Sequence, residues 1–297
     1  MEILAQTPLT IADPHRENRA IAETLRALAV GGVEQAEGEM LALPQASSSV
    51  VHRFGPGVYI REVHIPAGTF AIGHRQRFEH MNIMLKGRVT ILNDDGGTTT
   101  LVAPAIFTGK PGRKIGYIHE DMVWQNIYAT NERDIETLEK TYLEKSEVWV
   151  DDQAERVRKL IGTGTEDTED FERMLADLHV SRETVREMSE FEGDQTSFPH
   201  GSYKVMVADS KIEGRGLFAT ADIAPGEVIA PARIAGKRTP AGRYTNHGKH
   251  TNAIMVPRHD GDIDLIATKH IYGCRGGQVG EEIKIDYRLA VAAAGRA

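Results

Sequence analysis

Between residues 49 and 129 the chain reads as short runs of β-favouring residues separated by turn-formers, and this texture constrains the fold more than any other feature. The runs are 58–65, 81–85, 88–92, 98–102 and 123–128. The breaks between them are Pro66-Ala67-Gly68, Lys86-Gly87, Asn93-Asp94-Asp95-Gly96-Gly97 and Pro111-Gly112. Many short strands joined by Gly-rich turns imply a sandwich or a barrel.

The flanking segments differ. Asp13-Pro14 followed by Ile21, Leu25 and Leu28 predicts a helix, with Asp13 as cap, Pro14 in the first turn and Gly31-Gly32 as its end. Residues 131–201 carry nine basic and twenty acidic side chains, whereas 1–130 are near neutral and 202–297 are mildly basic. The acidic block shows helical apolar stripes: Ile135, Leu138 and Tyr142; Val157, Leu160 and Ile161; Phe171, Leu175 and Leu178; then Val185 and Met188. Gly162-Thr163-Gly164 breaks it. From Tyr203 strands and turns return, and Leu289 to Ala297 reads as a small-residue tail that frays. The expected organisation is a helical segment at 1–48, a β-barrel at 49–130, an acidic helical connector at 131–201, a second β-rich domain at 202–290 and a tail at 291–297.

Composition removes several classes. A net charge of −8 argues against a nonspecific nucleic-acid binder. The single cysteine, Cys274, forms no internal disulfide and no Cys-rich zinc site. The sequence has no run of 18 apolar residues and no secretory signal in its first residues, so no membrane partner and a cytoplasmic, reducing location are expected.

The stretch Gly73-His74-Arg75-Gln76, then Glu79-His80, then Gly87, resembles the first motif of the cupin superfamily. Pro111-Gly112 followed by His119, with Trp124 and Asn126 nearby, is similar to its second motif. The resemblance covers about 50–130 and implies a double-stranded β-helix whose metal ligands point into the barrel. Gln76 stands where the family has its second His, and His80 takes the position of the family's Glu. Two readings follow. His74, His80 and His119, with Gln76, hold a divalent metal through imidazoles. Alternatively the barrel is metal-free, and its inward polar residues bind one another, water or a small ligand, leaving it a role in recognition or dimerisation.

The C-terminal part carries Glu213-Gly214-Arg215-Gly216, Arg243-Tyr244-Thr245-Asn246-His247, and Gly280-Glu281-Glu282-Ile283-Lys284-Ile285-Asp286-Tyr287. In that order these resemble a SET domain, the fold of protein-lysine methyltransferases that use S-adenosyl-L-methionine. The resemblance implies that Gly214, Arg215, Gly216, Asn246 and His247 hold the cofactor, that Tyr287 is the catalytic tyrosine and that Tyr244 shapes the site. The chemistry implied is an in-line displacement on the sulfonium methyl by a neutral amine, which needs alignment and a desolvated channel. The partner implied is a lysine-bearing protein or peptide.

The sequence also departs from that family. Gly248-Lys249-His250-Thr251 replaces its Ser-Cys-x-Pro segment after the Asn-His pair, no Cys-rich segment follows Tyr287, and only 29 residues separate Gly216 from Asn246. The fold class expected is therefore mainly β with an α connector: a cupin-like double-stranded β-helix, an acidic helical linker and a compact SET-like β-fold. The leading functional reading is a methyltransferase whose cupin-like module serves recognition or homodimerisation. Its rivals are a non-enzymatic binding or structural protein, phage-encoded in one version, and a metal-dependent cupin enzyme.

Overall fold

The computed structural model describes residues 3–6, 14–30, 32–160 and 166–294. The chain divides into two compact units. The first comprises 1–132, 136–154 and 274–279; the second comprises 133–135, 155–273 and 280–297.

The first unit opens with β1 (Ile3–Gln6), α1 (Pro14–Val30) and α2 (Val33–Leu41). Pro14 begins α1, as its fixed φ and missing N–H favour. Asp13 and Gly31 lie outside the described residues. Strands β2 (Ser49–Gly55), β3 (Val58–Ile65), β4 (Thr69–Ile72), β5 (Arg75–Gln76), β6 (His80–Leu92), β7 (Thr98–Val102), β8 (Ala105–Gly109) and β9 (Ile115–Ala129) follow. They are joined by α3 (Ile135–Tyr142), β10 (Leu143–Glu144), which pairs with β5, and the first part of α4 (Glu147–Leu160). The side chains of Val157 and Leu160, and residues Ile161, Gly162, Thr163 and Gly164, lie outside what is described.

Two long strands organise this unit. The C-terminal half of β9 pairs with β3 and its N-terminal half with β4, while β6 runs antiparallel along its other side. The first half of β6 pairs with β8 and the second with β7. The sheet cups because β6 and β9 bend together at irregularities near Lys86 and Arg88. Lys86-Gly87, read from the sequence as a turn between two strands, is thus a bulge inside one strand. Gly87 sits at φ +97°, and a Cβ there would lie 2.7 Å from the Asp121 carbonyl oxygen and 2.8 Å from that of Glu120. Only glycine tolerates both the angle and the approach.

Apolar residues cover the two faces of the cup. Ile21 and Leu25 of α1 and Met40 of α2 pack against Phe70, Ile72 and Tyr117 on one face. Each such buried side chain contributes roughly 1.5–3 kcal/mol over its exposed state. Val63, Ile65, Met84, Val89, Ile118 and Met122 gather on the other, concave face.

The second unit contains α5 (Glu166–Asp177), α6 (Arg182–Glu190), β11 (Gly201–Tyr203) and an antiparallel hairpin of β12 (Val205–Asp209) with β13 (Arg215–Ala219). Strands β14 (Val228–Ile234), β15 (Lys237–Arg238), β17 (Ala253–Pro257) and β18 (Ile263–Ala267) form an antiparallel sheet in the order β15-β14-β18-β17. Beside it lie α7 (Pro240–Tyr244), a parallel pair of β16 (Asn246–His247) with β19 (Lys284–Ile285), and α8 (Tyr287–Ala294). The tail expected to fray is helical through Ala294, because a Leu/Ala-rich run has high helix propensity. Phe171, Met174, Leu175 and Ile212 form this unit's core with Tyr287 packed on it. No helix among the described residues is long and apolar enough to cross a membrane.

Candidate functional site

The concave side of the first unit encloses a cavity of about 90 Å³. The inward positions of β9 are the even ones, Gly116, Ile118, Met122, Trp124 and Asn126, and those of β6 are His80, Asn82, Val89 and Ile91. Strand alternation explains the set, since successive side chains point to opposite faces. Val63 and Ile65 of β3 and Ala71 of β4 complete the apolar wall. His74, Gln76, Gly112 and Lys114 form one rim.

The polar end is organised by a connected network. Trp124 Nε1 donates to Asn82 Oδ1 at 2.9 Å, and Asn126 Nδ2 donates to the same oxygen at 2.8 Å. Asn126 Nδ2 also lies 3.1 Å from His80 Nε2, while His80 Nδ1 is 3.0 Å from the Phe78 carbonyl. His80 therefore donates from Nδ1 and accepts at Nε2. Its ring stacks on Tyr128, whose hydroxyl donates to Gln76 Oε1 at 2.6 Å. His74 is different. Its ring is buried, it meets the edge of Trp149 at 5.1 Å, and neither ring nitrogen has a hydrogen-bond partner. Burial holds its pKa well below the usual histidine value, so it is a neutral imidazole.

The metal set expected from the sequence is not assembled. His74, Gln76 and His80 line the cavity, but His119 does not. It follows Ile118 on β9 and so points to the opposite face, where Nε2 lies 2.8 Å from Thr90 Oγ1. Burial lowers the pKa of His119 to about 4. His80 has both ring nitrogens engaged within the network. Among the described residues no three His, Cys, Asp or Glu side chains come together as a metal site. The donors facing the cavity are chiefly amides, indole and imidazole, which suit a hydrogen-bonded organic molecule better than a divalent cation. Sequence reasoning missed Asn82 and Lys114. Period-two alternation from His80 would have pointed to Asn82, but nothing in the sequence shows that the strand end at Lys114 reaches a cavity.

In the second unit the residues of the C-terminal motifs do come together. Asn246 Nδ2 lies within hydrogen-bond distance of the Glu213 carbonyl (3.3 Å), the Arg215 carbonyl (3.2 Å) and Glu282 Oε1 (2.8 Å). Ser210 Oγ donates to the same carboxylate oxygen at 2.7 Å. Gly214 closes the β12–β13 turn, where the Ser210 amide donates to its carbonyl. A Cβ on Gly216 would sit 2.3 Å from Glu282 Oε1, so the glycine admits that carboxylate. Burial raises the pKa of Glu282, against the hydrogen bonds of Asn246 and Ser210. His247 accepts the Tyr287 amide at Nδ1 (3.1 Å) and donates from Nε2 to Asp170 of α5 (2.9 Å). The Tyr287 hydroxyl donates to the Thr245 carbonyl at 3.0 Å, and burial pushes its pKa up to about 12. Tyr244 stacks under the guanidinium of Arg243 at 4.7 Å, with that of Arg215 at 5.9 Å.

This convergence is self-satisfied. The Asn246 amide nitrogen, the His247 ring and the Tyr287 hydroxyl each serve a partner within the unit. The α5 carboxylate Asp170 holds His247 and Arg288, and Asp167 holds Lys284 at 2.5 Å. The Asn246 amide nitrogen and both His247 ring nitrogens are engaged within the unit, and Gly214 and Gly216 carry no side chain, so these four residues offer S-adenosyl-L-methionine little beyond backbone groups. Glu282, Asp167 and Asp170 are the residues that sequence reasoning missed here.

No protein-family model matches the chain, and no curated protein matches it. Among solved structures, a cupin domain from Bordetella pertussis is similar at 15% identity and a TM-score of 0.24, covering 30% of this chain and 99% of that one. An acetylacetone dioxygenase from Acinetobacter johnsonii is similar at 14% identity and a TM-score of 0.23, covering 29% of this chain and 65% of that one. The EutQ protein of Clostridium difficile is similar at 10% identity and a TM-score of 0.24, covering 29% and 70%. Nothing in these comparisons speaks for a SET domain or for an enzyme that uses S-adenosyl-L-methionine.

Proposed function

We propose that the first unit is a small-molecule binding module, working without a metal, and that its ligand occupies the chamber between β3, β6 and β9. The observation that carries this reading is His74. A buried imidazole with two unpartnered nitrogens costs on the order of 1–3 kcal/mol per unmet polar group. Placed on the wall of a cavity, it finds its partner in a ligand. Trp124, Asn126, His80 and the Asn82 oxygen are locked among themselves, which gives this end of the chamber a preformed shape, while Asn82 Nδ2 is a second buried donor without a partner. A volume of about 90 Å³ accepts a molecule of roughly six to nine heavy atoms, at about 10–15 Å³ per water-sized site.

The test is ligand-observed NMR with neutral amides of that size, isovaleramide and benzamide, on the wild-type chain and on Ala71→Leu. The added methyl groups fill the chamber from β4. Saturation transfer in the wild type that is lost in the variant supports the reading; equal signals in both refute it, as does the absence of any signal from these amides and from the acids of the same shape.

A second reading attaches to the second unit: a methyltransferase using S-adenosyl-L-methionine on a protein lysine, with Tyr287 at the reacting end. What supports it is the convergence of 214–216, 246–247 and 287. Its internal pairing ranks it second, because a cofactor would have to be held through backbone groups. Calorimetric titration with S-adenosyl-L-methionine tests it, and the absence of binding heat removes it.

A further inference from the structure

The rim of the chamber says more about the ligand than its walls do. Three side chains line it on segments that backbone hydrogen bonds hold side by side. The Gly73 amide donates to the Lys114 carbonyl at 3.0 Å, and Gln76 and Gly112 exchange a pair of backbone hydrogen bonds at 2.8 and 3.0 Å. His74 and Gln76 thus stand beside Lys114 on adjacent segments. Each is a donor with capacity to spare. A neutral imidazole always carries one N–H, and neither nitrogen of His74 is paired. Gln76 spends its oxygen on Tyr128, which leaves its NH₂ group for another partner. Among the described residues Lys114 forms no ion pair; burial lowers its pKa and the Asp94 charge raises it.

Among the described residues no aspartate or glutamate lines the chamber, and Lys114 is the one charged side chain that does. Much of the remaining lining is hydrocarbon: Val63, Ile65, Val89, Ile118 and Met122. We infer that the chamber takes a small organic carboxylate, its anionic end among His74, Gln76 and Lys114 and its hydrocarbon body against that lining. This inference rests on the chamber reading above and names the ligand's class. A carboxylate offers acceptors only, so it matches a rim of three donors, whereas an amine would add a second positive charge beside Lys114. Desolvation by the surrounding wall lowers the pKa of Lys114, with Asp94 opposing, and a bound anion would reverse that shift.

The experiment titrates the full chain with two isosteric pairs, benzoate against benzamide and isovalerate against isovaleramide, and repeats them on Lys114→Met. The inference expects each carboxylate to bind at least tenfold tighter than its amide, with the preference falling to threefold or less in the variant. Amides that bind as tightly as the acids overturn the carboxylate assignment and leave the chamber reading standing. A preference undiminished in Lys114→Met overturns the role of the rim lysine. If neither member of either pair binds, both readings fall. Lys114 lies in neither core cluster, and an unchanged urea midpoint for the variant confirms that its fold is intact.

Discussion

His52 is a buried group whose protonation should loosen the support behind the chamber. Its ring is 1% exposed on β2, Nδ1 lies 2.7 Å from Tyr59 Oη, and Nε2 has no partner. Burial lowers its pKa from 6.5 to about 3; Arg61 and Lys145 add to the shift and Glu139 opposes it. The folded-state pKa is depressed, so the stability it confers is fully present above pH 6.5 and is lost as pH falls toward 3. Each pH unit in that window costs about 1.4 kcal/mol, or about 2 kcal/mol by pH 5 and on the order of 5 kcal/mol by pH 3. The consequence reaches the site through a stack: His52 lies over Tyr59 (5.9 Å), Tyr59 over Tyr128 (5.7 Å), and Tyr128 donates to Gln76. The assay is urea unfolding followed by fluorescence at pH 7, 6 and 5, on the wild type and on His52→Gln. At pH 7 the variant should be less stable by about 1 kcal/mol through the lost hydrogen bond. By pH 5 the wild type's advantage should vanish and reverse. A stability difference that does not change with pH would show that His52 titrates in the fold as it does in the unfolded chain, and that burial does not hold it neutral.

Other outcomes follow from single contacts. Gly87→Ala should lower stability by roughly 1–3 kcal/mol in urea titration, because the φ of +97° and the Asp121 and Glu120 carbonyls both oppose a Cβ. Arg113→Ala should cost about 3–5 kcal/mol, since Glu37 is fully buried and held by Arg113 and Ser146; Glu37→Gln in the same background should recover part of it. Asn246→Ala should lower the unfolding midpoint of the second unit by an amount equivalent to about 1–3 kcal/mol, as it strands the Glu213 and Arg215 carbonyls and half of the Glu282 pairing.

The legible parts of the fold were those governed by local rules. Turn chemistry at 93–97 marked the β6–β7 hairpin, and Pro14 marked the start of α1. The bulge at Gly87 was misread, because a Lys-Gly pair looks the same in a turn as in a strand whose neighbour's carbonyls crowd it. The site was legible in parts. Motif spacing picked out His74, Gln76 and His80, which the cupped sheet does bring to one cavity. It also picked out His119, which strand parity places on the other face; an unseen shift of one residue decides such cases. In the second unit the motif residues converge, yet their partners Asp167 and Asp170 come from a helix that reads in sequence only as an acidic surface. Long-range pairing of that kind leaves no periodic trace.

The claim that the first unit binds a small molecule rather than a metal is tested most directly by a crystal of the full chain soaked with benzoate. The account predicts density for the ring between Ile118 and Val63, its carboxylate within hydrogen-bond distance of His74 and Lys114, and no metal peak beside His80. A metal ion coordinated by His74 and His80, or a chamber filled only by ordered water at saturating benzoate, would contradict it.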